Sequence, residues 1–482
     1  MPLILPGNVA SATASTAYLV ANSCRFDGTV GSLLERTSPS DSATNEKIAT
    51  MSFWMKLGAG SITPSASKYI FYNNNASTSP GYFQVQITTD GQMIFVASQY
   101  GGFELKPTRK FRDPSAWYHF CLQHDSTPST PSASSMRLWI NGVLQTDFVT
   151  ERYPAQNNTC NFTQASIYTP IGTYADSYAS FDGYLAEFMV VDGQSLAADQ
   201  FGEFDSDSPG IWKPIDISGI TLGAQGYYLD FEDSSAMGND AGGGADFTAS
   251  NIAAADQAVD SPTNNFCVMN PLDNYFAAMT FTQGNCRITS TGNKAYATGT
   301  VGLTAGKWYW EVKVAAEAAG AFSMIGISDV PATGTTTNFA LGYLSTTWCY
   351  YGYDGGYRNS NSTTSYGDAY AANDIIGVYL DLDNNKLYFG KNGTVQNSGT
   401  GIDITAAASR ANGHYFPATN YWDGGVATYQ HNFGGCPSFA ISSGNADTNG
   451  YGNFEYDPSA GTFDSASKSF LALCTKNLAE NG

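Results

Sequence analysis

Met136-Arg137-Leu138-Trp139-Ile140-Asn141-Gly142-Val143-Leu144 is the stretch that decides the fold class. Met136, Leu138 and Ile140 fall on alternate positions, and the run breaks at Asn-Gly. Both residues of a tight type I′ turn need positive φ, which Asn and Gly tolerate, so the stretch predicts a β-hairpin. The pattern continues outward. Trp117-Tyr118-His119-Phe120-Cys121-Leu122 alternates, and Thr89-Asp90-Gly91 parts Tyr82–Ile87 from Met93–Val96 as a second hairpin would. Ser23-Cys24-Arg25-Phe26-Asp27-Gly28 and Met51-Ser52-Phe53-Trp54-Met55-Lys56-Leu57 are earlier strands, and Gly183–Val191 is a late one. In the second half, Gly306-Lys307-Trp308-Tyr309-Trp310-Glu311-Val312-Lys313-Val314 alternates strongly, and Asp374–Asp381 leads through Asn384-Asn385 into Lys386-Leu387-Tyr388-Phe389. The hairpins at 137–142 and 386–393 echo one another, each with an aromatic residue expected to face inward.

Composition agrees with an all-β protein. Tyr (30), Phe (28) and Gly (50) are abundant, which suits pleated strands and tight turns. Only 13% of residues are charged, about half the usual share, so long Lys/Glu-rich amphipathic helices have no material. A net charge of −20 argues against nucleic acid and against docking on anionic lipid, both of which need a basic face. No stretch is apolar enough to predict membrane insertion, and Met1-Pro2-Leu3-Ile4-Leu5-Pro6 lacks the basic region of a signal peptide, so synthesis in a host cytoplasm is the expectation. The eight cysteines are scattered without a CxxC pair and read as buried thiols. The four histidines stand at no zinc-ligand spacing from them.

The length of 482 residues calls for more than one core. The expected order is an N-terminal arm (1–20), a first antiparallel sandwich (21–204) ending in a short helix from Leu196 to Phe204, and a connector (205–266) containing one clear strand at Gly226–Phe231. A second sandwich (267–435) and a tail (436–482) follow. The closing apolar segment Phe470-Leu471-Ala472-Leu473 must be buried, on its own chain or on a neighbour.

Three resemblances follow from these stretches. Phe53-Trp54-Met55-Lys56, Trp117-Tyr118-His119-Phe120, Leu138-Trp139-Ile140-Asn141-Gly142 and Gly183-Tyr184-Leu185-Ala186-Glu187-Phe188 resemble, in order and rough spacing, the concanavalin A-like, laminin-G-like jelly rolls. Gly306–Val312, Ile325-Gly326-Ile327-Ser328, Asp374–Asp381, Leu387–Gly393 and Tyr415-Phe416-Pro417-Ala418 through Asn432-Phe433-Gly434 resemble a SPRY domain, which implies a bent β-sandwich with specificity in its loops. The tandem, with its Gly-Tyr-Gly-Asn-Phe-Glu-Tyr-Asp tail, is similar to virion structural proteins of marine tailed bacteriophages. That likeness implies a non-enzymatic protein of the particle surface (a fibre, spike or decoration) that contacts a host glycan or receptor and other virion proteins, as a homo-oligomer, with a trimer as the guess. A purely structural virion part is the alternative, and a glycan depolymerase a distant third.

Carbohydrate sites pair an aromatic ring, which stacks on C–H edges, with polar groups that meet hydroxyls. Trp348, Tyr351, Tyr353, Asp354, Tyr357, Arg358 and Tyr366 crowd one such region, with Tyr350, Asn359 and Tyr370, and Trp422-Asp423 is a second. Strand periodicity assigns about half of these aromatics to the core, and Gly352–Ser365 reads as an exposed loop. Calcium stays open, with Asp182 and Asp192 as candidate ligands and Asp27 behind them. Asp381, Asp383 and Asn384 read as a turn, and no EF-hand loop exists. Paired carboxylates for glycoside hydrolysis are missing from the strand of Glu187, since Met189 stands two residues on, and no G-x-S-x-G elbow occurs.

Overall fold

In a computed structural model of the chain, the structure describes residue 4 and residues 18–62, 64–74, 81–97, 102–174, 179–275, 279–290, 292, 294–318, 320–329, 340–410, 412–422 and 424–482. The chain divides into two compact units. One is Ala14–Thr263; the other combines Met1–Thr13 with Asn264–Gly482. Of the predicted arm, Ile4 makes a parallel bridge to Val301, and residues 1–3 and 5–17 lie outside the described residues.

The first unit is two antiparallel sheets face to face. One runs Val143–Leu144, Met136–Ile140, Trp117–Asp125, Ile48–Leu57, Asp182–Asp192, Ser23–Asp27, Gln257–Ala258. The other runs Phe148–Arg152, Glu104–Pro107, Met93–Ala97, Tyr82–Ile87, Lys68–Asn74, Tyr168–Ile171, Leu33–Thr37, Thr248–Ser250. The Asn141-Gly142 turn pairs Val143 with Ile140, and both turn residues take positive φ (47° and 73°), as the hairpin reading requires. Between the sheets lie stacked rings: Phe53 sits 5.3 Å from Phe120 and 5.2 Å from Phe188, centroid to centroid. Leu138 and Ile140 belong to this core. Trp139, expected to face inward, points to the outer face instead, because alternation puts it opposite its two neighbours.

The stretch read as a connector extends both sheets and helps to cover the outer face of the first. Tyr227–Leu229 pairs with Asp182–Asp192, Thr248–Ser250 with Leu33–Thr37, and Gln257–Ala258 with Ser23–Asp27. Residues of 196–222 cover the outer face of the first sheet, with Phe201, Ile217 and Trp212 packed on Cys121, Met189 and Val191. The expected helix at 196–204 is a short 3-10 turn, Ala198–Gln200, followed by the strand Gly202–Phe204, which pairs with Trp212–Pro214. Farther along the same face, Lys56 Nζ lies 2.6 Å from Asp260, with both side chains buried, and the indole N–H of Trp117 donates to the other Asp260 oxygen at 3.0 Å.

The second unit is also two sheets. The first runs Met269–Tyr275, Ala295–Gly299, Phe416–Tyr421, Ser323–Ser328, Thr347–Tyr351, Gly356–Asn359, Ser362–Ser365. The second runs Met279–Thr282, Arg287–Ser290, Ala427–Asn432, Lys307–Glu317, Ile375–Asp381, Lys386–Lys391, Thr394–Val395. The tail is structural. Leu471–Ala472 adds in parallel to Lys307–Glu317, and Phe454, Phe463 and Phe470 pack on the outward rings of Tyr309, Tyr379 and Tyr388. In the second hairpin Phe389 is the aromatic that faces the inter-sheet core, against Tyr350, and Tyr388 faces this covered outer side. The closing apolar segment is therefore buried on its own chain, so it offers no argument for contact with a neighbour.

Glu311 fastens the tail. Its carboxylate accepts the Tyr309 hydroxyl (2.9 Å), the Asn432 amide (2.9 Å) and the backbone N–H groups of Glu455 (3.0 Å) and Tyr456 (2.8 Å). All eight cysteines are buried free thiols. No helix among the described residues is long and apolar enough to cross a membrane.

Candidate functional site

Trp348-Cys349-Tyr350-Tyr351 lies within the strand Thr347–Tyr351, in which every residue is buried. Trp348 and Tyr350 face the inter-sheet core. Tyr350 stacks on Phe389 at 5.2 Å, and Trp348 meets Tyr415 edge-on, with Arg410 4.9 Å from its ring. Tyr366 and Tyr370 are buried beside Tyr350, and Tyr366 Oη accepts the N–H of Phe389. Trp348 and Tyr366 are thus core residues and cannot reach a ligand. Period-two reasoning expected one face of this strand to be free, but residues 340–343 cover the other face, where Ala340 and Leu341 pack on Cys349 and Tyr351.

The predicted loop 352–365 is largely a hairpin, in which Gly356–Asn359 pairs with Ser362–Ser365 and extends the sheet. Its alternation separates two candidates. Tyr357 meets Tyr366 edge-on, on the core side. Arg358 lies on the opposite side, 4.2 Å from the Tyr351 ring, with Nε bonded to Thr363. Asp354 accepts the N–H of Gly356 at 2.9 Å and fixes the turn into the hairpin.

Around Tyr351 the structure assembles an aromatic face. Tyr353 is 60% exposed; its ring lies parallel to Phe322 at 5.6 Å and tilted to Tyr351 at 5.9 Å, so neighbouring rings back it while much of it stays open. Trp422 stacks on Tyr343 at 4.7 Å, and Lys294 lies 4.8 Å from the Trp422 ring. Phe322, Tyr343 and Trp422 all pack on the cluster that contains Tyr351. Burial pushes the Tyr351 phenol up to about 12, against the pull of Arg358, so it is neutral at physiological pH. The face offers rigid rings with guanidinium and ammonium groups held beside them, which suits stacking against a saccharide or a peptide and pairing with its anionic substituents. Asp423, the remaining candidate, lies outside the described residues. Phe322, Tyr343 and Lys294 were missed because each stands alone in sequence and only sheet pairing brings them together.

The calcium candidates occupy opposite ends of one strand, Asp182–Asp192, about 33 Å apart at 3.3 Å per residue, so they cannot share an ion. Asp192 accepts backbone N–H groups from Thr44 (2.6 Å), Gln225 (3.1 Å) and Asn45 (3.3 Å). Asp182 accepts Gly60 N–H at 2.7 Å and presses so closely on Gly58 that a Cβ there would lie 2.4 Å from it. Both carboxylates organise loops. Asp27 likewise binds Thr29 and Ser32, and Asp381 pairs with Lys468. No group of three potential ligands exists among the described residues.

Two groups with catalytic residue types are enclosed. Glu187 stands at a bulge with φ +48° and accepts the hydroxyls of Tyr228 (2.8 Å) and Tyr18 (3.2 Å); burial raises its carboxyl to about 7. His119 is buried, contacts Ser52 through Nε2 and accepts the Trp212 N–H at Nδ1, and burial lowers it to about 3. It remains a neutral strut.

A model of the concanavalin A-like lectin/glucanases superfamily matches residues 35–200, and a SPRY domain model matches residues 307–428. The chain carries a concanavalin A-like domain followed by a SPRY domain. Among solved structures, the SPRY domain of human HERC1 is 19% identical, covering 36% of this chain and 99% of its own, with TM-score 0.28. Stonustoxin is 16% identical over 34% of this chain and 27% of its own (TM-score 0.26). A heptameric SAP-like pentraxin from Limulus polyphemus is 16% identical over 38% and 82% (TM-score 0.26). No curated protein matches the chain. The aromatic face belongs to the SPRY domain, and the pairing of a lectin/glucanase-like with a SPRY domain points to carbohydrate or protein binding.

Proposed function

We propose that this chain is a non-enzymatic surface protein of a tailed bacteriophage particle, a fibre, spike or decoration, that binds host-surface glycan through the Tyr353 face of its SPRY domain. The observation that carries the binding reading is the open ring of Tyr353, backed by Phe322 and flanked by Arg358 on Tyr351 and Lys294 on Trp422. Rings fixed by stacking lose little freedom on binding, so more of the contact energy is realised as affinity. Binding without turnover is supported by Glu187 being sealed beneath two tyrosines. The phage assignment rests on the tandem order and the tail motif alone, and a homo-oligomer, with a trimer as the guess, belongs to the same proposal.

The test is binding of purified protein to host cells and to host-derived polysaccharide, beside Tyr353→Ala/Arg358→Ala and Trp422→Ala variants whose circular dichroism matches the parent. Expected is parent binding that each variant weakens at least tenfold, with no new reducing ends. Absence of parent binding sinks the adhesin reading and leaves a structural virion part, which a pull-down against other virion proteins would detect. Release of reducing ends would instead indicate a depolymerase.

A further inference from the structure

Trp139, left facing outward by the pleat, is half-buried on the outer face of the concanavalin A-like domain. Beside it the strand pair Gly202–Phe204 and Trp212–Pro214 raises a wall, and an open groove of about 410 Å³ lies between. Phe204 is 44% exposed and meets the Trp212 ring edge-on at 5.0 Å. Trp212 cannot swing: a Cβ on Gly142 or Gly202 would come within 2.2 or 2.6 Å of its ring, and its N–H is committed to His119. The Trp212 ring is therefore set before any ligand arrives. Asp199 and Glu203, both exposed, line the same groove. Lys213 bridges Glu203 (3.2 Å) and the buried Asp205 (3.5 Å), which does not line the groove, so two carboxylates face the groove and one of them shares its ammonium partner.

We propose that this groove is a cation-binding site for a ligand that presents an alkylammonium group. Ring faces attract cations, and indole does so most strongly. Added carboxylates favour a cation over a neutral group and repel anions. No arginine or lysine among the described residues is placed over the rings of Trp139, Phe204 or Trp212, although cations sit over other rings of this chain, those of Tyr227 and Tyr351 among them. The volume falls within the range of small-molecule sites. The proposal does not depend on the Tyr353 face, which lies on the other domain.

Tetramethylammonium, a glucosamine tetramer and its N-acetylated neutral counterpart would be titrated into the full chain, followed by tryptophan fluorescence and calorimetry. Both ammonium probes should bind, and the glucosamine tetramer at least tenfold more tightly than the neutral one; their relative affinities show which carbon frame the groove accepts. Phe204→Ala, at an exposed position, should weaken ammonium binding at least fivefold. Asp199→Asn/Glu203→Gln should remove the preference over the neutral tetramer. Equal affinity for the charged and neutral tetramers, no binding of either ammonium probe, or insensitivity to both groove variants overturns the proposal.

Discussion

Asp260→Ala is expected to destabilise the first unit by about 3–5 kcal/mol, a large part of the about 5–15 kcal/mol that holds a typical domain folded. Lys56 and Asp260 are 2.6 Å apart and both side chains are buried, so removing the carboxylate takes the counter-charge from an ammonium group held away from water. The Trp117 N–H also loses its acceptor. The cost comes from the uncompensated charge and not from a strong net attraction, and the two can be separated. Lys56→Met/Asp260→Asn removes both charges and keeps an oxygen for Trp117, and it should return to within about 2 kcal/mol of the parent. Urea unfolding followed by near-ultraviolet circular dichroism reads both. A loss below about 1 kcal/mol for Asp260→Ala would show that water reaches Lys56.

The second large effect is a pH dependence in the second unit. Burial raises Glu311 from 4.5 to about 7, while its four hydrogen-bond donors pull the other way. Between those values the folded chain holds a proton that the unfolded chain has released. The contribution is therefore fully present below about pH 4.5 and is lost as pH rises through about 7, by about 3 kcal/mol in all. Glu311→Gln cannot titrate, so the stability difference between parent and variant should change by that amount between pH 4.5 and 8. A difference that stays constant across this range would mean that the donors fully offset the burial. Glu311→Ala, which leaves the Glu455 and Tyr456 N–H groups without their acceptor, should cost about 3 kcal/mol. Amide exchange of residues 445–456 should rise with it.

The carboxylates of both predictions illustrate what could be read in advance. Glu311 stood in a strand legible from its alternation, and nothing nearby in sequence announced that the tail would bury it. Asp260 lay in a stretch rich in Asp, Ser, Gly and Ala, whose strands at 227–229, 248–250 and 257–258 are only two or three residues long. Only the first of these, within Gly226–Phe231, stood out; the other two are too short to show a period.

The candidate site divides in the same way. Tyr353, Arg358 and Trp422 were found from residue type and do gather on one face, over Tyr351, which is itself as buried as Trp348. Trp348 and Tyr366 were placed there wrongly: Trp348 lies on the inter-sheet face of its strand, and Tyr366, one residue past the hairpin, turns in against Tyr350 and Phe389. Tyr357 was separated from Arg358 by the pleat of a hairpin that had been read as a loop.

By itself the sequence determined an all-β chain of two sandwiches and the Asn141-Gly142 hairpin, and its net charge of −20 argues against a basic nucleic-acid or lipid surface. These follow from turn stereochemistry, side-chain period and net charge, which act over a few residues or depend on composition alone. The tertiary structure decided which outer faces are covered, which carboxylates are buried, and that Phe322, Tyr343, Tyr353 and Trp422 share a surface. Those outcomes depend on segments tens of residues away covering an outer face of each sandwich, and burial is a property of that cover as much as of the strand beneath it.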